Sequence, residues 1–344
     1  MMLLGLFIIL AIVLLAPFSV KRIEEELEIF LFAMGCIAVT VTSQWNLGLI
    51  EESLIEPLRI TLAVFGAGFI FRILQKPIAH NVNKVVDLIG VKFFAFLLIV
   101  SLGLLSSVIT AIIAALVLVE IISCLTLERK DEIFLVVLAC FSIGLGAVLT
   151  PIGEPLSTIA TAKLRGEPYL AGFFFLMQHL WHFIIPGIFT FGFLGMAIAP
   201  NNRQNKPGLK ESRRDNIRDI AIRAVKVYFF VMALVLLGKG FKPIIDTYIL
   251  KIPYHGLYWM NMVSAVLDNA TLAAAEISPA MGLLQIKSIL LGLLIAGGML
   301  IPGNIPNIIS AGKLKIKSSE WAKVGVPLGL AVMAVYFILL IFIR

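Results

Sequence analysis

Charge is what this sequence has least of. Only 14% of its 344 residues are Asp, Glu, Lys or Arg, 60% are apolar, and the mean hydropathy is +1.02. Soluble domains carry about a quarter charged residues, so this composition excludes one. Long polar stretches are missing as well. The longest, roughly 200–223, is too short to fold alone and reads as a linker. Cysteine is scarce: Cys36, Cys124 and Cys140 lie in apolar runs without metal-type spacing. That argues against a disulfide framework and a thiolate metal site, and predicts small buried side chains. The ten-residue alternation of a transmembrane β-barrel is absent, and so is any repeated filter sequence of a passive channel. No Lys or Arg precedes the first apolar run, whereas Lys21 and Arg22 follow it. A retained first helix with its N-terminus outside is therefore expected, not a cleaved leader. The net charge of +7 is dispersed among loops, so it speaks for membrane topology and against nucleic acid.

What is present is a series of apolar runs of about 20 residues, the length that spans a bilayer. The spacing predicts helices near 2–20, 27–45 and 54–76. The 35 residues from Val91 to Leu125 are too long for one span and contain no loop for two. They predict a re-entrant hairpin (about 88–127) with its tip near Ser106–Thr110. A broken helix over about 132–164 and a helix over 169–198 complete a first half, residues 1–198. A basic linker over 199–218 follows; being amphipathic, it is expected at the inner membrane surface. The second half, residues 219–344, is expected to hold a helix over 219–238 and a mixed segment from Gly240 to Pro253. A hairpin over about 254–280, a broken helix over about 283–313 and a helix over 321–343 then follow. The fold class is thus an all-α polytopic membrane protein, an inverted-repeat secondary transporter with two re-entrant hairpins and two broken transmembrane helices.

Two features support that layout. The breaks, LTPIGEPLSTIATAKL (Leu149–Leu164) and LIPGNIPNIISAGKL (Leu300–Leu314), lie about 150 residues apart. Pro and Gly remove backbone hydrogen bonds that hydrocarbon cannot replace, and paired breaks of this kind mark a transporter's binding site. Pairing them by their prolines sets Pro151 against Pro302 and Pro155 against Pro306; the hairpins pair Ser106 with Ser264 and Thr110 with Asp268. Charge supports the same layout independently. With both hairpins entering and leaving on one side, the inside positions are Lys21 and Arg22; Arg72, Lys76, Lys84 and Lys92; Arg129 and Lys130; eight residues from Arg203 to Lys226; and Lys313, Lys315, Lys317 and Lys323. These make 20 of the 28 basic residues, a clear positive-inside bias. Both termini are then outside and the linker cytoplasmic, in a multi-pass protein of the inner or plasma membrane.

The candidate site residues gather at breaks and tips. Asp268 and Asn269 sit at the second tip; a carboxylate at that depth costs roughly 2.5–3.5 kcal/mol, so Asp268 needs an ion, a proton or a partner. Its plainer reading is a cap on the next half-helix. Glu154, between Gly153 and Pro155, offers a carboxylate beside freed carbonyls, with Thr150, Ser157 and Thr158 around it. The plainer reading is a Glu satisfying the amides of the following helix. Asn304 and Asn307 are the neutral equivalents in the second break. Ser106, Ser107 and Thr110 mark the first tip, and Asn261, Ser264 and Thr271 surround the second. Each hydroxyl alone would serve its own helix backbone. Glu120 and Glu276, in the returning arms, are second-tier proton relays, or side chains reaching interfacial water. His179 and His182 lie one turn apart but lack a third ligand, so packing is the expected role.

With DNATLAAAE (Asp268–Glu276) and GEPLSTI (Gly153–Ile159) set on these elements, the chain resembles the ion transporter superfamily. The likeness is to its NhaD-like sodium/proton antiporter branch and to a related cation-transporter family of unknown function. It covers most of the chain and is weakest in the first 80 residues. The resemblance implies inverted repeats, hairpins meeting unwound helices near the midplane, and homodimers built through a scaffold domain. Dicarboxylate-carrying members have neutral Ser-Asn-Thr tips; here the first tip lacks Asn and the second is acidic. The expected function is exchange of a monovalent cation, sodium, for protons. Asp268 and Glu154 would be the titrating carboxylates and sodium ligands, assisted by Asn269, Thr150, Ser157, Thr158 and Asn304. Burial disfavours a charged carboxylate, and a close pair titrates as a unit, so cation and protons compete for the same oxygens. Partners are the bilayer and small inorganic ions; no cofactor or enzymatic activity is expected. The alternatives are sodium-coupled symport of a small anion or carboxylate and, more distantly, an intramembrane aspartyl protease.

Overall fold

The computed structural model describes residues 2–20, 23, 26–125, 127–200, 217–248, 252–267 and 269–342, and among them every regular element is helical. The chain opens with α1 (Met2–Ser19), α2 (Leu27–Val41) and α3 (Leu47–Ile89). Next come α4 (Val91–Ile109), α5 (Ala111–Cys124), α6 (Arg129–Ala147), α7 (Pro155–Lys163) and α8 (Phe175–Ile198). The second half holds α9 (Ile217–Tyr248), α10 (Tyr254–Met260), a 3-10 turn (Asn261–Ala265) and α11 (Asn269–Glu276). It ends with α12 (Leu283–Met299), a 3-10 turn (Ile301–Gly303), α13 (Ile305–Leu314) and α14 (Ser318–Phe342). Among the described residues, four segments are long and apolar enough to cross a membrane: Val91–Ile109, Phe175–Ile198, Ala224–Ile244 and Ser318–Phe342. Leu4, Leu15, Phe193 and Phe342 expose their apolar side chains, as a lipid-facing surface requires. The chain is an all-α membrane protein.

Two helices outrun their expected limits. α3 covers 43 residues, about 64 Å at 1.5 Å per residue, instead of 54–76. Asn46 starts it by accepting a hydrogen bond from Leu49 N at 2.8 Å, and Gly90, at φ +78°, ends it. Hydropathy falls after residue 76 and Pro77 removes one backbone N–H there, yet the helix runs on to Ile89. α9 runs to Tyr248, through the stretch expected to be mixed from Gly240 onward. Gly240 is a packing residue: a Cβ there would stand 2.6 Å from Ala38 Cβ on α2. Elsewhere α2 stops at Val41 and α8 starts at Phe175, inside the expected 27–45 and 169–198, and α14 begins at Ser318, three residues before 321. Most of the linker, 201–216, and Asp268 lie outside the described residues.

The packing repeats. α4 lies against α6, and α6 against α8; α10 and its 3-10 turn lie against α12, and α12 against α14. The returning arms cross over, with α5 on α13 and α11 on α7. At the start of α6, Arg129 donates to the carbonyls of Leu314 (2.9 Å) and Lys315 (2.8 Å), at the end of α13, and pairs with Glu320. At the other extreme Tyr169 Oη, past the end of α7, donates to Met281 O, just ahead of α12. The segments α6–α7 and α12–α13 therefore run in opposite directions. α5 runs alongside α13 in the same direction, Ala115 and Leu116 packing with Ile305 and Ile309, and Glu120 meeting Lys313.

Candidate functional site

The first break opens where α6 ends at Ala147 and the chain turns through Val148–Gly153 before α7. Pro155 occupies the first helical position of α7, where a missing N–H costs nothing, and Glu154 is the extended N-cap before it. Glu154 is buried. Ser157 Oγ donates to Glu154 O at 2.7 Å and accepts from Glu154 N at 3.4 Å. Thr158 Oγ1 donates to Pro151 O, and Thr150 Oγ1 to Ser107 O. The α4–α5 turn closes onto this break: Ala111 N donates to Gly153 O at 2.8 Å. That turn is a single residue, Thr110, at φ +77°, whose Oγ1 accepts from Ile113 N at 3.4 Å. Ser106, Ser107 and Thr110 thus spend their hydroxyls on backbone groups, the plainer of their two readings.

The second break uses side-chain amides. Asn307 is fully buried, and its Nδ2 donates to Gly297 O (2.8 Å) and Leu300 O (2.9 Å), carbonyls the break has freed. Trp321 Nε1 donates to a third, Gly298 O, at 3.2 Å. Asn304, the extended N-cap of α13, faces the first half: a Cβ on Gly144 of α6 would lie 2.9 Å from its Nδ2. Farther along, Cys140 Sγ meets Ser310 Oγ at 3.4 Å.

The two breaks are built on one plan. Ser106 Oγ donates to Ile143 O at 3.0 Å, and Ser264 Oγ to Leu293 O at 3.3 Å. A Cβ on Gly153 would overlap Ala147 O, and one on Gly303 would lie 2.5 Å from Gly297 O. These contacts match residues 150 apart, Ile143 with Leu293 and Gly153 with Gly303, so the proline pairing is off by one. In the corrected register Glu154 falls on Asn304 and Ser157 on Asn307.

That register also exposes two residues that topology counting hid, Lys163 and Lys313. Both close an apolar helix with the same pattern, ATAKL and SAGKL, which is the signal that finds them. Lys313 Nζ is ion-paired with Glu120, and Lys163 Nζ donates to Ile277 O, next to Glu276, at 3.2 Å. Glu276 itself is fully buried and accepts from Asn261 Nδ2 at 2.9 Å. Asn269 is buried at the start of α11, and the side chain of Thr271 lies outside the described residues. His179 Nδ1 contacts Phe175 O at 2.8 Å, and among the described residues no group of three or more His, Cys, Asp or Glu is placed to hold a metal.

The start of α5 closes on the first break through Ala111 and Gly153, Asn304 of the second break faces Gly144 of α6, and Glu120 and Glu276 lie at the far ends of their arms. No curated protein matches the chain. The family described as "Protein of unknown function (DUF1646)" matches residues 3–343, nearly the whole length, and the protein belongs to it.

Proposed function

We propose that this protein is a secondary active transporter that exchanges a monovalent cation, sodium, for protons at the two helix breaks. The observation that carries the reading is the opposed run of two broken helices, each carrying a buried polar N-cap, Glu154 on α7 and Asn304 on α13. Unwound backbone inside an apolar protein leaves carbonyls that bind small cations, and paired breaks in two halves are the transporter pattern. The reading takes α4–α5 and α10–α11 as re-entrant hairpins from opposite faces of the membrane and the halves as an inverted repeat. It is supported by the return of α5 alongside α13 towards Arg129, and by Lys163 of α7 reaching the end of α11. Glu154 and Asp268 are the exchanging carboxylates: sodium binds them ionised, protons displace it, and that competition couples the fluxes. Each crossed pair, α5 with α13 and α11 with α7, moves as a unit to open one face at a time.

Reconstituted protein tests this. A sodium gradient across proteoliposomes is expected to drive proton movement read by an internal pH dye, and Glu154→Gln and Asp268→Asn to abolish it. Wild-type vesicles that move no protons in response to sodium, or variants that move them unchanged, overturn the reading.

A further inference from the structure

Glu276 ends the returning arm of the second hairpin, Asn261 opens the 3-10 turn of its entering arm, and both side chains are fully buried. Asn261 Nδ2 donates to Glu276 Oε2 at 2.9 Å. Among the described residues, the two remaining oxygens, Glu276 Oε1 and Asn261 Oδ1, have no hydrogen-bond partner. A buried carboxylate held by one neutral donor is costly unless its charge is neutralised.

The first half shows how this chain meets that cost. Glu120 is the corresponding acid of the other returning arm, and Lys313 neutralises it. Lys163 is the lysine equivalent to Lys313, yet it donates to the Ile277 carbonyl. The other cations on elements packed against α11 are Lys287 of α12 and Arg218, Arg223, Lys226, Lys239 and Lys242 of α9, the side chain of Arg223 lying outside the described residues. Lys226 is engaged with Glu26 and Glu28, Lys239 with Glu52, and Lys242 lies within electrostatic range of Lys163. No described cation forms an ion pair with Glu276.

The geometry of the pair says what can. A carboxamide and a protonated carboxyl join through two hydrogen bonds, amide N–H to one carboxyl oxygen and carboxyl O–H to the amide oxygen. The first bond is present, and the two unpartnered oxygens are the ends of the second. The same two oxygens are hard ligands suited to a bare alkali cation. We propose that Glu276 and Asn261 form a second ion site, which holds one proton between Glu276 Oε1 and Asn261 Oδ1 and exchanges it for a bare monovalent cation of sodium's class. In the exchange the Glu276 O–H bond breaks, the proton leaves to water and the cation takes its place between the oxygens, so the charge of the site is unchanged. This does not rest on exchange at the breaks.

The test uses purified full-length protein in weakly buffered, sodium-free detergent solution with choline chloride. Sodium chloride is added, released protons are counted with a pH indicator, and the protonated-carboxyl C=O band is followed by infrared difference spectroscopy. Glu276→Gln keeps an acceptor for Asn261 Nδ2; it is expected to release about one proton fewer per chain and to lose one component of the band. Glu154→Gln should leave that component in place. Unchanged release and an unchanged band in Glu276→Gln overturn the proposal. Should that variant not fold, Asn261→Ala decides: a shifted Glu276 band with weaker sodium-driven release supports the site, and no change in either overturns it. If Glu154→Gln transports normally while Glu276→Gln loses its proton, the exchange reading falls and this site stands; the opposite pattern removes this site alone.

Discussion

Lys313 on α13 is ion-paired with Glu120 on α5, and that pair ties the first half of the chain to the second. Their side chains are only 11% and 8% exposed, so neither charge has water to fall back on. Removing one partner strands the other in an apolar setting, which costs about 3–5 kcal/mol, whereas removing both recovers much of that loss. Lys313→Met and Glu120→Leu are each expected to lower thermal stability in detergent strongly, and the double variant to lie between them and wild type. Additive losses in the double variant would show that the pair does not act as a unit.

The close approach of α4 and α6 gives a second expectation. A Cβ on Gly146 would overlap Gly103 O and lie 2.8 Å from Ser106 Oγ, backbone and hydroxyl that cannot move without opening the first break. Gly146→Ala should abolish stable expression or cost several kcal/mol by overpacking, about 1–3 being usual in less rigid sites. Gly312→Ala is the control, since nothing lies within 4 Å of its added methyl. Helix propensity alone makes that change neutral or stabilising by up to about 1 kcal/mol. Equal losses at both glycines would refute the packing argument.

These contacts also say what hydropathy could and could not reveal. Breaks at Pro151–Pro155 and Pro302–Pro306 were legible because proline and glycine act locally on the backbone. Helix ends were not: α3 continues as a polar helix to Ile89, and Gly240 sits inside α9 because α2 presses against it. Whether a small residue ends a helix or admits a neighbour is decided by the neighbour. The register of the halves was misread for a related reason. Prolines mark where hydrogen bonds are lost, but Lys163 and Lys313 mark where each arm touches the other half. The partners of Glu120 and Glu276, at sequence separations of 193 and 15 residues, differ although the local sequence around both acids is alike.

Asn304 and Asn307, three residues apart, should separate function from stability. Asn307 donates to two carbonyls freed by the break, so Asn307→Ala leaves buried acceptors unpaired at about 1–3 kcal/mol each. Asn304 has no described hydrogen bond of that kind and faces Gly144 across the gap between the halves. Asn307→Ala is expected to unfold at lower temperature, and Asn304→Ala to keep its stability while weakening sodium-dependent flux. Loss of stability in Asn304→Ala with full flux in the surviving protein would reverse the assignment.

The proposed competition between sodium and protons fixes the sign of the expected pH dependence. If, as proposed, sodium binds the ionised carboxylates, its apparent affinity should be constant at high pH and fall as pH drops through their titration. The slope approaches tenfold per pH unit for each proton displaced. Thermal-shift titration of purified protein with sodium chloride, repeated across pH, reads this directly. Glu154→Gln removes one titrating group and should flatten the slope by about one proton's worth, rather than merely displacing the curve. An apparent affinity that rises as pH falls would mean that protonation builds the sodium site, and the two ions would then travel together instead of exchanging.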